Sequence, residues 1–274
     1  MTVGEALRHG ADRLEAAGSE TPRLDAELLL GHAAGLTRAE LYADVARPLA
    51  SAQAETLETL LARRERREPV AYILGEWGFR RLTLSTDARA LIPRPETEIV
   101  VERCLSLLEG RDAPAVLDVG TGSGAIALAI ADEHPGARVT AIDTSADALA
   151  LARENAERIG IAITLERGDV LATFPSGPWT LVVSNPPYVD PADLLDLMPD
   201  VRDWEPHVAL VGRGATEAVI DGAARTLVEG GALVLEVGDG QAKRVAARLE
   251  RAGYSNVRIT ADLAGRDRVV EGTR

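Results

Sequence analysis

From Ala113 to the end of the chain, short apolar runs alternate with amphipathic ones, and this alternation restricts the possible folds more than any other feature. "AVLDVG" reads as a strand, "GAIALAIADEH" as a helix, "RVTAID" as a strand, "SADALALARENAERIG" as a helix, and "AITLERGD" and "WTLVVSN" as further strands. After a long irregular stretch, a helix near "ATEAVIDGAARTLVEGG" leads to strand "ALVLEVG", helix "QAKRVAARLERAG" and two final short strands, "NVRIT" and "DRVVEG". Strands linked through helices become parallel neighbours, so the pattern predicts an α/β fold. Its sheet has seven strands, is mostly parallel, is covered on both faces, and binds ligands at the carboxyl ends of its strands. The last two strands lack a helix between them, which predicts an antiparallel pair at one edge.

Up to about residue 72 the period is different. Apolar residues recur at Leu7, Ala11 and Leu14, at Leu29, Ala33 and Leu36, and at Ala54, Leu57 and Leu61, the 3.6-residue spacing that gives a helix one apolar stripe. Start signals agree. Pro22 follows Thr21 at the first position of a helix, and Thr37 to Glu40 fits the capping box in which side chains satisfy orphan amides. In "ILGEWGFRRLTLSTDARALIPRPETE" alternation around two glycines predicts a hairpin, and "IPRP" predicts an extended linker. The expected division is a small all-helical domain over residues 1–72, a β-hairpin linker over 73–95 and the α/β domain over 96–274.

At 274 residues, 46% hydrophobic and 27% charged, the chain can bury a sizeable core. No apolar run is long enough to span a bilayer and the start does not resemble a signal peptide, so a soluble cytoplasmic protein with no membrane partner is expected. A formal net charge of −13 repels a phosphate backbone, because non-specific nucleic-acid affinity comes from neutralising phosphates with Lys and Arg. No direct nucleic-acid partner is expected, and the chain is expected to be a monomer. The basic run "RRERR", Arg63 to Arg67, closes a helical pattern where cations favour the dipole and solvent; a contact patch is the alternative. The single cysteine, Cys104, lies in the helical run "EIVVERCLSLLEG" and is expected to be a buried small side chain. His9, His32, His134 and His207 are scattered without ligand spacing, and no metal site is expected.

"DVGTGSGA" falls where the first strand of the α/β part turns into its helix. Glycine there permits positive φ and lets a ligand approach the backbone. Gly120, Gly122 and Ala125 satisfy a loose dinucleotide fingerprint, with Thr121, Ser123 and Gly124 completing the turn, and Asp143 at the next strand end is the acid expected on a ribose. A carboxylate there can accept from both ribose hydroxyls. A helix cap is the alternative for Asp143, but Thr144 and Ser145 follow it and can do that job. Two cofactors fit this turn: a nicotinamide dinucleotide or S-adenosyl-L-methionine. Asp118 tilts the choice, since a carboxylate attracts a methionine ammonium and repels a pyrophosphate, although it can equally brace the loop.

A later strand ends in "VVSNPPYVD", Val182 to Asp190. Proline cannot donate to a sheet ladder and restricts the residue before it, so a strand that stops on Pro186 and Pro187 makes a rigid corner. Asn185 offers a side-chain carbonyl and Pro186 a backbone carbonyl, two fixed acceptors suited to a planar NH₂ group. An amide or aromatic amine nitrogen is a poor nucleophile because its lone pair is delocalised into the adjacent π system. Holding both of its N–H bonds lets the nitrogen pyramidalise and aim that pair at an electrophilic methyl group. A sulfonium methyl is already activated, so alignment for in-line displacement accounts for most of the rate effect. Tyr188 is expected to pack its ring on the planar substrate group. The same acceptors repel a carboxylate, so glutamine is chosen over glutamate. A purely structural turn with a capping Asn and a core Tyr is the plain alternative.

At these residues the sequence resembles the amino-group methyltransferases, which carry an [N/D/S]PP[Y/F/W] motif on a Rossmann-like sheet. "LIPRPETE", "DVGTGSGAIALA", "SNPPYV" and "DLAGRDRVVEG" narrow the resemblance to the peptide-chain-release-factor glutamine methyltransferase family, and it extends over nearly the whole chain. The resemblance implies a Rossmann-like seven-stranded methyltransferase domain preceded by a small helical partner-binding domain and a hairpin. It also implies S-adenosyl-L-methionine as cofactor and, as substrate, the glutamine of the GGQ motif in class I release factors. Carried over, it gives the cofactor to Gly120, Thr121, Gly122, Ser123, Gly124, Asp143, Asp169, Val170 and Asn185, and the substrate glutamine to Asn185, Pro186, Pro187 and Tyr188. Two stretches depart from the family. Val170 stands where an aromatic residue often follows the aspartate, and "EPHVALVGRGATEA" replaces a glycine-rich stretch, leaving Gly212 to Thr216 without a role.

Other functions use part of this pattern. A glutamine methyltransferase acting on a large-subunit ribosomal protein shares nearly all of it. A DNA or RNA adenine methyltransferase shares the NPPY chemistry but conflicts with the acidic balance. A nicotinamide-dependent oxidoreductase shares the glycine turn and leaves NPPY unexplained. A noncatalytic binding module would be expected to have lost Asp143 or the NPPY turn, and this chain has both.

Overall fold

Thr2 Oγ1 accepts from the Glu5 amide at 3.3 Å while the Thr2 amide donates to Glu5 Oε2 at 2.7 Å, a capping box that starts helix α1 (Val3–Ala16). The protein, described over residues 1–274 by a computed structural model, continues with α2 (Pro22–Ala34), α3 (Arg38–Ala43), α4 (Ser51–Glu65) and α5 (Val70–Leu74). Pro22 opens α2 and Gly35, at φ 66°, ends it, while Thr37 and Glu40 cap α3 reciprocally. Leu7, Leu14, Leu29, Leu57 and Leu61 are fully buried where α1, α2 and α4 pack together. These helices form one unit, Met1–Glu76, which also takes in Met198–Trp204.

The arginine run at the end of α4 is neither a solvated helix end nor a free basic patch. Arg63 pairs with Glu68, Arg67 pairs with Asp200, and Arg64, 5% exposed, is held by Asp25 at 2.8 Å and Asp200 at 2.6 Å. Carboxylates converge on this helix end, and charges removed from water need such partners.

The other unit is Trp77–Leu197 with Glu205–Arg274. A hairpin of β1 (Glu76–Phe79) and β2 (Leu82–Ser85) precedes α6 (Thr97–Leu108). Then come β3 (Ala115–Val119), α7 (Ala125–Glu133), β4 (Arg138–Asp143), α8 (Ala146–Ile159), β5 (Thr164–Arg167) and β6 (Trp179–Ser184). A 3₁₀ turn over Pro191–Asp196 and the short helices α9 (Pro199–Arg202) and α10 (His207–Leu210) fill the long irregular stretch. The chain ends with α11 (Ala215–Thr226), β7 (Leu227–Glu236), α12 (Ala242–Arg251), β8 (Ser255–Ala261) and β9 (Asp267–Thr273).

The seven-stranded sheet has the order β5-β4-β3-β6-β7-β9-β8, parallel except at β9, which runs antiparallel to both neighbours. The expected α/β fold and its antiparallel edge are therefore present, with β9 inserted between β7 and β8. Side chains alternate between two cores. Val116 and Val183 face one with Val100, Cys104 and Leu128, while Leu117 and Val182 face the other with Val219 and Val245. Burial on both faces explains why these strands are continuously apolar. One boundary differs from the sequence expectation: "LVEGG", grouped with the helix by its apolar start, opens β7 instead.

Register sets up the site. Val119 lies opposite Ile142 on β4 and Ser184 on β6, and Ser184 lies opposite Leu235 on β7. The next residues, Gly120 and Asn185 just beyond β3 and β6 and Asp143 and Glu236 at the last positions of β4 and β7, therefore sit side by side at one end of the sheet. Strand order reverses between β3 and β6, the switch point where ligands bind in open α/β sheets. No helix is long and apolar enough to cross a membrane.

Candidate active site

A cavity of about 530 Å³ opens at these strand ends. Gly120, Thr121, Gly122 and Ser123 line it on one side, Asp143, Asp169 and Val170 on another, and Asn185, Pro186 and Pro187 on a third. Two residues expected there are elsewhere. Gly124 turns inward to start α7, and a Cβ on it would approach Leu128 to 3.1 Å and Ala152 to 3.3 Å, so it serves helix packing. Tyr188 sits behind the proline corner, its ring beside Gly238, where a Cβ would come within 2.9 Å of the ring. Its carbonyl accepts from Gln241 Nε2 at 3.0 Å, and burial raises its phenol pKa. The strand-end corner points Asn185 and the prolines into the cavity and the next residue away from it.

Asp143 is fixed in place. Its Oδ2 accepts from the Gly122 amide and its Oδ1 from the Ser145 amide, each at 2.9 Å. Each oxygen retains acceptor capacity toward the cavity. The cap of α8 is Ser145, whose hydroxyl accepts from the Ala148 amide at 3.2 Å, so Asp143 is not needed for that task. Gly122, at φ 56°, holds its amide on Asp143 in a conformation that favours glycine.

Asp118 does not face the cavity. It is fully buried beneath the loop, its Oδ2 accepts from Thr121 Oγ1 at 2.6 Å, and burial pushes its carboxyl up to about 7. It braces the glycine turn, and the expected attraction to a ligand ammonium has no basis in this geometry. Asn155, which sequence reasoning missed, supports the same turn. Fully buried on α8, it donates to the Ser123 carbonyl at 3.0 Å and the Ser85 carbonyl at 3.2 Å, and accepts from the Ser85 amide at 2.7 Å. The available signal was an amide in the helix's apolar stripe, one turn after Leu151 and Ala152.

On the opposite wall, Ser184 Oγ donates to the Val119 carbonyl at 2.8 Å, locking the ends of β6 and β3 together. Asn185 Nδ2 donates to Thr97 Oγ1 at 3.4 Å, and Thr97 Oγ1 donates to Glu236 Oε2 at 2.6 Å. Glu236 is 2% exposed, and burial pushes its carboxyl up to about 7. Glu205 accepts from the Ile92 amide at 3.2 Å and pairs with Arg94, holding "IPRP" along the cavity. Gly212 gains a role: a Cβ there would lie 2.8 Å from the Pro187 carbonyl oxygen, so only glycine lets this segment pass the corner. None of these supports was visible in the sequence, because their partners are remote along the chain.

A parallel sheet with a glycine turn, a strand-end acid and an NPP corner around one cavity is the arrangement of a Rossmann-like methyltransferase. The "PrmC N-terminal domain" family matches residues 5–75 and the "Methyltransferase small domain" family residues 98–198. The chain belongs to the release factor glutamine methyltransferase family, the one its motifs resemble. A member from Caulobacter vibrioides is 41% identical over 281 residues, covering 100% of this chain and 97% of its own. One from Deinococcus radiodurans is 41% identical over 281 residues, covering 100% and 99%. Among solved structures, the Thermus thermophilus 16S rRNA N2 G1207 methyltransferase, in complex with AdoMet and guanosine, has a TM-score of 0.55 at 18% identity over 73% of this chain and 49% of its own, a likeness of fold.

Proposed function

We propose that this chain methylates the side-chain amide nitrogen of the glutamine in the GGQ motif of class I release factors, using S-adenosyl-L-methionine. The observation that carries this reading is that Asn185 and Asp143 open into the same cavity from the strand ends on either side of β3.

The cavity wall suits the cofactor. A Cβ on Gly120 would meet nothing within 4 Å, leaving an open cradle against the backbone, and Asp143 presents acceptors suited to a ribose diol. Ile142, Val170 and Leu171 supply apolar wall for an adenine. Asp169, Gly120, Thr121, Gly122 and Ser123 complete the holding set, with Gly124 acting through the packing of α7. When bound, the cofactor supplies a methyl group on a positively charged sulfur.

Asn185 and the Pro186 carbonyl accept the two N–H bonds of the substrate amide and turn its lone pair toward the cofactor side of the cavity. Pro187 stiffens the corner, and Tyr188 supports it from behind. Residues 1–72 are assigned to gripping the partner outside the GGQ loop, since a short loop buries little area, with residues 73–95 as linker and 96–274 as the catalytic part. We assign the enzyme to the cytoplasm, as a monomer that contacts no nucleic acid directly.

The test is incubation of the purified protein with labelled cofactor and either a class I release factor or a large-subunit ribosomal protein, followed by mass mapping. Label on the GGQ glutamine is expected. Label on the ribosomal protein alone would reassign the substrate, and preferential binding of NAD would remove the methyltransferase reading.

A further inference from the structure

Thr97 joins Asn185 to a carboxylate that does not line the cavity. Glu236 ends β7, is 2% exposed, and accepts from Thr97 Oγ1 at 2.6 Å, with the Asn185 amide also favouring its ionised form. Thr97 opens α6 and lines the cavity beside Asn185. A hydroxyl has one hydrogen to give, and an ionised carboxylate has none. With Thr97 donating to Glu236, only its lone pairs remain for Asn185, which must turn its NH₂ toward Thr97 at 3.4 Å. The Asn185 carbonyl is then left for the cavity.

We propose that Glu236, acting through Thr97, is a positioning residue that sets which end of the Asn185 amide faces the substrate. The inference rests on the amide-methylating function proposed above. Reversing the chain reverses the amide. A protonated Glu236 donates to Thr97, the Thr97 hydrogen moves to Asn185 Oδ1, and NH₂ faces the cavity, where it opposes a substrate NH₂ instead of holding it. Both directions satisfy every buried group, so the proton on Glu236 selects between them. The groups facing Glu236 are balanced in sign: Arg268 on β9 favours its ionised form, as do the Thr97 and Asn185 hydrogen bonds, while Glu96 before α6 opposes it. The neighbouring Tyr188 phenol is neutral below its raised pKa.

Single-turnover and steady-state methylation by E236Q, T97V and T97S test this directly. Glutamine at 236 can accept or donate, so it no longer fixes the direction, and valine at 97 breaks the chain. Both are expected to lower kcat by about tenfold to hundredfold with cofactor affinity within about threefold, and T97S, which keeps the hydroxyl, recovers most of the rate lost in T97V. Wild-type kcat should rise as pH passes through about 7, where Glu236 ionises, and the E236Q profile should be flat there.

A second readout needs no substrate. The side-chain ¹⁵N amide signals of Asn185 in the full-length free protein should shift between pH 6 and pH 8, about one unit either side of that ionisation, in wild type but not in T97V. Wild-type kcat in E236Q, or Asn185 signals equally insensitive to pH in wild type and T97V, would overturn the orientation role. Failure of the wild-type protein to methylate any release factor would instead sink the function, and the amide signals would still decide the orientation.

Discussion

Asp143 owes its position to two backbone amides, those of Gly122 and Ser145, and both lie within the loops it is expected to serve. Replacing it with alanine removes the acceptors for a ribose diol and the brace on Gly122. Cofactor affinity of Asp143→Ala should therefore fall by about tenfold to a few hundredfold by calorimetry; undiminished affinity would rule out the ribose role. Asn185→Ala should behave in the opposite way, abolishing turnover while cofactor binding stays within about tenfold, since its amide is assigned to the substrate. Equal loss of both would make the corner structural. Stability carries a separate signature. Asp118 and Glu236 are both held near 7 by burial, above ordinary values of 3.8 and 4.5. The folded state then binds more protons than the unfolded one between those limits, so their contribution is full below about 4 and is lost as pH rises through about 7. Thermal melts of wild type should fall over that window, and E236Q should fall less. At this scale the sequence showed Asp143 and Asn185 because both follow directly on apolar strands. It did not show that Asp118 and Tyr188 turn away from the cavity, which depends on how the loop and corner fold back.

Among the elements, strand ends carry the most information, because register brings β3, β4, β6 and β7 to the same level. The alternation of strands and helices makes these ends legible; the start of β7 departs from it, because Leu227 and Val228 continue the apolar pattern of α11 before two glycines. Supports between elements were not legible. Asn155 ties α8 to β2 and to the glycine turn through partners at 85 and 123, and Gly212 passes the Pro187 carbonyl, a contact no local pattern encodes. Gly212→Ala puts a methyl 2.8 Å from that oxygen, so either the corner or the segment must move. Overpacking of this kind costs about 1–3 kcal/mol, and here the displaced element holds Asn185. The expected outcome is a lower kcat with cofactor affinity retained. A variant with normal kcat would mean the segment yields and the corner does not depend on it.

At the scale of the whole molecule, the chain leaves the methyltransferase unit after Leu197, contributes Met198–Trp204 to the helical unit, and returns at Glu205. Asp200 is the centre of that contribution, pairing with Arg64 and Arg67, while Asp25 holds Arg64 from α2. Removing Arg64 leaves Asp25, 5% exposed at its side chain, with only the Ser19 and Thr21 hydroxyls, and Asp200, 14% exposed, with Arg67 as its remaining cation. Breaking a buried pair from one side costs about 3–5 kcal/mol, so Arg64→Ala should unfold the helical unit at a clearly lower denaturant concentration. If that unit is the grip on the partner, the same variant should raise KM for a full-length release factor and leave turnover of a short GGQ peptide unchanged. Both substrates meet the same cavity, and only the full-length protein has surface left for a second contact. Equal KM values for wild type and Arg64→Ala on the full-length factor, at a denaturant concentration where the variant's helical unit has melted, would show that residues 1–72 do not carry the partner.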